Sequence, residues 1–302
     1  MTVVVPTADR PAGRARLFAA LAQQRVLSNW DVLLVDNSTE GALVHEASHL
    51  ASLATVPVRV VREPRRGASH ARNRAIAEVV RPITVFVDDD VVPYPDWLAH
   101  LVQPVQSGRF DGVGGRVLVD PSRPLPGWFF DRAIEYLAHY DRGSATRPLE
   151  STEFLLTASA AFRTDVLRAC GGFDPALGPR PGAHLTNDDV LLSRRLRRAG
   201  GRLGYVGSAV VVHELPAERL RLRWLLQRFY CQGRSDWLLE RVDAARPATA
   251  GVLGVLRALR DELRAAPRRG LWRASVVVRL CAEAVYALGF GREMVAHLLR
   301  RP

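Results

Sequence analysis

Lysine is absent from all 302 residues, so each of the 42 basic side chains is an arginine. Without lysine the chain carries no GxxxxGK[ST] phosphate loop, which excludes the P-loop NTPases. Exclusive use of arginine points to a coding bias rather than a nucleic-acid surface, and no base-stacking aromatics are interleaved with the arginines. Cysteine is nearly as scarce: Cys170, Cys231 and Cys281 are isolated, odd in number and without a CxxC pair. A disulfide framework or zinc cluster is therefore excluded, which suits a reducing cytosol. No stretch reaches the roughly 18–20 uninterrupted apolar residues of a spanning helix. The opening run "TVVVPTADRP" meets proline too early for a signal peptide. No GxGxxG follows the first apolar run and no GxSxG elbow occurs, which argues against dinucleotide binding and an exposed serine nucleophile. The expectation is a cytoplasmic protein, peripheral at the inner membrane face if it meets a membrane at all.

What is present is enough for a core. Hydrophobic residues make up 48% of the chain, sufficient for one large α/β domain or two modest ones. The formal charge of +11 is uneven: from Glu214 onward seventeen arginines face nine acidic residues. A basic C-terminal third fits an anionic membrane surface, an anionic ligand or a solvated helical face.

The first half alternates β-branched runs with helical segments. "TVVVP" (2–6), "DVLLVDN" (31–37), "VRVVRE" (58–63) and "ITVFVDDD" (83–90) read as strands, with helices over 14–27, 41–54 and 69–79. Such βαβ units imply an α/β fold with a mainly parallel, doubly wound sheet and helices on both faces. Ligands of such sheets bind beyond the carboxyl ends of strands, where Thr7, Asp36 and Asp88–Asp90 fall. Further on, 121–141 reads as a loop with a short helix, and 153–178 as a strand and a helix ended by Gly171–Gly172. Within 185–201 a helix has Thr186 or Asn187 as N-cap, acids in its first turn and arginines in its last. A strand over 202–214 follows, then helices over 217–241, 249–265 and 271–290.

Asp88, Asp89 and Asp90 repel one another, and something must offset that repulsion. They form either a hard-cation site for Mg²⁺ or Mn²⁺, or a turn whose carboxylates cap amides beside Pro93 and Pro95. His213 closes the strand "AVVVH" and is structural unless a nearby carboxylate pair needs a nitrogen ligand. Asp188 and Asp189 open a helix, where the dipole alone accounts for them. The alternative is a general base aimed across a cleft.

In order along the chain, six segments resemble the family 2 glycosyltransferases, nucleotide-sugar-dependent enzymes of the GT-A fold. They are "VVVPTADRP", "LLVDNST", "RRGASHARNRAI", "FVDDDVVPYPDWL", "ASAAFRTDVLRACGGFDPAL" and "NDDVLLSRRLRRAGGRLGYVGSAVVVH". The resemblance runs from Val3 to about Leu239. It implies that Thr7, Arg10 and Asp36 surround the nucleoside, with Arg72 a further base or phosphate contact. It places Asp88 by the ribose and metal, Asp90 and His213 as metal ligands, and Asp89 on the donor side orienting the turn. Asp189 takes the catalytic-base position, and Asp188 stands where the family has glutamate, leaving the base open between the two.

The implied reaction is inverting, metal-dependent transfer of one sugar from a nucleotide-sugar to an acceptor hydroxyl. UDP is the first-choice nucleotide, with GDP or dTDP next. The acceptor is a small molecule, a lipid-linked group or a saccharide. "LRLRW" (220–224) lacks the glutamine of the processive QxxRW motif, which favours non-processive transfer. The expected division is a catalytic GT-A domain over 1–214 and a helical region over 215–302 that packs, forms a homodimer or touches membrane. The rivals are a sugar-1-phosphate nucleotidyltransferase and a non-catalytic sugar-nucleotide-binding module. The first lacks its glycine-rich loop and lysine here.

Overall fold

β-Branched residues throughout "TVVV" suit a strand buried on both faces, and β1 (Thr2–Thr7) is one. Val3 and Val5 enter one core layer and Val4 the other, the period-two alternation of a pleated strand. The structure, a computed structural model, describes residues 1–8, 10–25, 29–41, 43, 56–243, 260 and 274–299. β2 (Asp31–Asp36), β3 (Val58–Arg62) and β4 (Ile83–Val87) follow. With β1 they pair in parallel in the order β3-β2-β1-β4, where the sequence places four parallel strands.

Beyond β4 the sheet becomes mixed. It gains β5 (Val91–Pro93), β6 (Gly112–Val119), β7 (Thr146–Pro148), β8 (Ser159–Arg163) and β9 (Leu203–His213). β8 runs antiparallel between β4 and β6, and β9 lies parallel to β6 with β5 and β7 antiparallel to it. Helices cover both faces. α1 (Pro11–Ala22) packs Leu17 and Phe18, and a second helix, Trp97–Gln106, packs Trp97 and Leu101 into one layer. The opposite layer takes Ala71 and Ala75 of a helix over Ala68–Glu78, Leu167 of Thr164–Ala169, and Leu192 and Leu196 of Asp188–Arg198. In chain order these are α2 (Ala68–Glu78), α3 (Trp97–Gln106), α4 (Asp131–Glu135), α5 (Thr164–Ala169) and α6 (Asp188–Arg198). The expected helices over 41–54 and 249–265 fall almost wholly outside the described residues.

The chain divides into two compact units. One comprises Met1–Asp120, Ala138–Pro175 and Asp188–Glu214; the other comprises Pro121–Leu137, Ala176–Asn187 and Leu215–Pro302. The second unit is built on α7 (Leu222–Val242) and α8 (Ala274–Leu298), with Ala133 of α4, Phe229 and Tyr286 in its core. Gly233 and Gly289 bring α7 and α8 to backbone contact. A Cβ on Gly289 would lie 2.0 Å from the Tyr230 carbonyl, and one on Gly233 2.1 Å from that of Tyr286. α8 extends eight residues past the expected stop at 290. Among the described residues it is the one helix long and apolar enough to cross a membrane by length and composition.

Candidate active site

The parallel register sets the strand ends side by side. Thr7 of β1 is the register partner of Asp36 of β2, and the turn Asp88–Asp90 follows β4 on the other side of β1. Thr7 Oγ1 donates to Asp89 Oδ2 at 2.5 Å. Arg10 Nη1 reaches Asp90 Oδ2 at 2.6 Å and Asp89 Oδ1 at 3.3 Å. Burial pushes the Asp89 carboxyl up to about 6, against the Thr7 hydrogen bond and the Arg10 charge. Asp36 is wholly buried, and its two oxygens accept from the Ser38 and Leu43 amides. Its direct work is to shape the loop after β2.

α2 is preceded by Gly67, whose φ of +134° suits glycine, and its first turn leads to Arg72. This buried arginine links the two halves of the site. Nη2 donates to Asp88 Oδ1 at 3.1 Å, and Nη1 to Asp188 Oδ2, 116 residues further on, at 2.7 Å. The guanidinium lies 5.4 Å from the centroid of the Phe173 ring. Burial opposes its charge, but Asp88 and Asp188 outweigh burial and hold its pKa above the ordinary arginine value. The next residue, Asn73, clamps Phe173 through its amide and carbonyl at 2.8 and 2.7 Å, which ties the "GGF" turn to α2.

Asp188 and Asp189 open α6 and are both buried. Asp189 accepts from the Thr157 amide at 3.1 Å and from Thr157 Oγ1 at 2.9 Å. Burial and then the neighbouring Asp188 charge raise its carboxyl to about 7; burial likewise raises Asp188, against the pull of Arg72. Two accepted hydrogen bonds leave Asp189 further lone pairs, and a carboxylate of this basicity is suited to taking a proton near neutral pH. Of the two N-cap candidates, Asn187 has a left-handed φ of +74° and its side chain engages Gln232 and Asp236 of its own unit, while Thr186 Oγ1 donates to Gln232.

His213 ends β9 in register with Val91, just after the acidic turn. Its Nδ1 meets the Glu214 carbonyl at 2.7 Å, and Nε2 faces Asp90 Oδ1 at 3.4 Å. A carbonyl only accepts, so a neutral ring presents its Nε2 lone pair to the carboxylate. An imidazole nitrogen and a carboxylate oxygen converging on one point are a donor pair for Mg²⁺ or Mn²⁺. The third expected ligand, Asp88, is paired with Arg72, and no group of three or more His, Cys, Asp or Glu gathers at ligand distance among the described residues. The described residues thus offer at most a pair of protein ligands here, and a divalent ion held by them would need further oxygen ligands from outside the protein.

Sequence reasoning missed Arg14, Thr157 and the role of Asn37. Arg14 is buried and bonds Thr7 Oγ1 and the Ala8 carbonyl. Asn37 stitches the loops that follow β2 and β3, donating to the carbonyls of Glu63 and Arg65 and accepting from the Gly67 amide. Asn37 had a usable signal, since it sits inside the quoted "LLVDNST"; Thr157 had none.

The sheet that carries this acidic turn and aspartate pair has the GT-A glycosyltransferase fold. Solved structures share it. Mannosyltransferase PcManGT from Pyrobaculum calidifontis, in complex with GDP-Man and Mn²⁺, superposes with a TM-score of 0.64 at 17% identity over 97% of this chain and 86% of that one. S. aureus TarS 1-349 in complex with UDP-GlcNAc gives 0.57 at 15% identity, covering 95% and 91%. The model described as "Glycosyltransferase like family 2" matches residues 1–228, and the chain belongs to that family. Among curated relatives, a pre-mycofactocin glycosyltransferase of Mycobacterium tuberculosis is 27% identical over 245 residues, covering 80% of this chain and 48% of the relative. A glucosyl-dolichyl phosphate glucuronosyltransferase of Haloferax volcanii is 26% identical over 177 residues, 58% of this chain and 56% of the relative. The chain spans about half the length of these relatives.

Proposed function

We propose that this chain is an inverting, metal-dependent, non-processive glycosyltransferase that moves one sugar from a nucleotide-sugar to an acceptor hydroxyl. The observation that carries the reading is Arg72, which ties the donor-side Asp88 to the acceptor-side Asp188 within one guanidinium. Thr7, Arg10 and the loop shaped by Asp36 take the nucleoside and diphosphate, with UDP the first donor to try and GDP or dTDP next. Asp90 and His213 are the residues that would hold Mg²⁺ or Mn²⁺. When bound, such an ion neutralises charge developing on the departing diphosphate. Asp189 accepts the proton of the acceptor hydroxyl, which attacks the anomeric carbon from the face opposite the leaving group. Asp188 keeps Arg72 in place and is the second choice as base. The dolichyl phosphate in the Haloferax relative's name favours a lipid-linked acceptor. On the same reading 1–214 is catalytic, and 215–302 is a helical region that packs, makes a peripheral membrane contact at the cytoplasmic face, or makes a homodimer contact.

The test is a thermal-shift screen of UDP-, GDP- and dTDP-sugars with and without Mn²⁺. A ligand at about a hundred times its Kd raises stability by ~2.7 kcal/mol, enough for a shift of several degrees. One nucleotide should stand out, and only with the ion present. No shift with any of them would refute the donor site.

A further inference from the structure

The acidic turn is balanced by two arginines that differ in kind. Arg72 is buried, uses two nitrogens on two carboxylates, and is fixed at both ends. Arg10 has a side chain 54% exposed, and a single nitrogen, Nη1, makes both of its contacts, to Asp90 at 2.6 Å and Asp89 at 3.3 Å. That nitrogen covers one oxygen of Asp90 while the other faces His213 Nε2 at 3.4 Å. The positive charge therefore occupies the carboxylate that a divalent cation would need. A monovalent and a divalent cation a few ångströms apart on the two oxygens of one carboxylate repel each other, so each weakens the other's hold on it. The backbone of Arg10 is not what moves. α1 abuts the turn so closely that a Cβ on Gly13 would lie 2.4 Å from the Asp89 carbonyl oxygen. The Asp89 and Asp90 partners are buried, but the Arg10 end of the pair is more than half exposed and held through one nitrogen, so water can take over the guanidinium and the long side chain can swing.

We propose that Arg10 is a built-in counter-ion that competes with the divalent cation for Asp90, so that the cation binds tightly only once a diphosphate has drawn Arg10 away. This rests on the reading of Asp90 and His213 as metal ligands. It makes Arg10 the residue that sets binding order: alone, the cation meets a neutralised carboxylate; with a nucleotide diphosphate present, Arg10 has a better anion and the carboxylate is released. Meanwhile the arginine keeps three adjacent aspartates from repelling one another in the unloaded protein.

The experiment is titration of the full, metal-free chain with Mn²⁺ alone, with free Mn²⁺ read by its electron paramagnetic resonance signal. The chains compared are the wild type, Arg10→Gln, Asp90→Asn and the double variant Arg10→Gln/Asp90→Asn. The expected result is at least tenfold tighter Mn²⁺ binding by Arg10→Gln than by wild type without nucleotide, a gain that the double variant loses. Equal affinity of wild type and Arg10→Gln, both weakened by Asp90→Asn, overturns the competition while leaving the metal ligands standing. Absence of Mn²⁺ binding by every chain overturns the metal reading and the competition with it. Arg10 is exposed, so Arg10→Gln should fold, and an unchanged circular dichroism spectrum checks it.

Discussion

Replacing Arg72 with methionine tests whether the two halves of the site are held together electrostatically. Methionine keeps much of the volume against Phe173 and removes only the charge and its hydrogen bonds. The Asp88 partner is about a third exposed and water would largely rescue it; Asp188, with a side chain 6% exposed like that of Arg72, would not be rescued. Breaking a buried pair by removing one partner costs about 3–5 kcal/mol, since the other charge is left uncompensated. For a chain of this size that is on the order of 10 °C in Tm. The loss must also depend on pH. Without Arg72, the folded-state pKa values of Asp188 and Asp189 rise further above their unfolded values. A carboxyl with a raised folded pKa contributes stability that is complete below about pH 4 and is lost as pH rises through the folded value. Urea unfolding at pH 5.5 and 8.0 should show a larger deficit at pH 8.0, and Asp188→Asn added to Arg72→Met should recover part of it. A deficit under 1 kcal/mol, or one that is the same at both pH values, would refute this account of the pair.

Asp189→Asn should lower turnover by about 10²–10⁴-fold, leave nucleotide-induced thermal shifts nearly unchanged, and not lower Tm at pH 8, where the buried charge it removes is unfavourable. Equal loss of transfer and nucleotide binding would point to folding instead. Thr157→Val removes one hydrogen bond that favours the Asp189 carboxylate, so the acid limb of the rate profile should move above pH 7; an unmoved limb would free Asp189 from the base role. Gly289→Ala pushes a methyl group into the Tyr230 carbonyl and should cost about 1–3 kcal/mol by overpacking, read as a lower urea midpoint with any donor-induced shift retained.

Local patterning was enough for most elements of the larger unit. "TVVV", "VLLV" and "TVFV" alternate between two buried layers, and no period other than two places them. Strand ends then located Thr7, Asp36 and the aspartate turn without knowledge of pairing. What the sequence leaves dark is reach. Arg72 finds Asp188 across 116 residues and Thr157 finds Asp189 across 32, and no local periodicity encodes either distance. Asn187 looked like a helix cap because cap residues are recognised by type, but its backbone turns left-handed and its side chain answers to α7. The second unit gathers 121–137 and 176–187 with the C-terminal helices. A reading that proceeds along the chain would cut once, at 214, because noncontiguous assembly leaves no compositional mark.

Charge bookkeeping explains why the site needs more than its own arginines. Asp88, Asp89, Asp90, Asp188 and Asp189 stand against Arg10, Arg14 and Arg72, an excess of two negative charges if every carboxyl ionises. Burial has already pushed Asp89 and Asp189 up to about 6 and 7, so in the unloaded protein protons cover part of the deficit at neutral pH. On the proposed reading a nucleotide diphosphate brings further negative charge to the same strand ends. Arginine rearrangement moves positive charge about but adds none, and protonating Asp189 would disable the proposed base. On the proposed reading only a divalent cation arriving with the donor supplies two positive charges while leaving Asp189 ionised. The donor and the cation should therefore bind with positive coupling, each tightening the other by the same factor, because linkage between two binding equilibria is reciprocal.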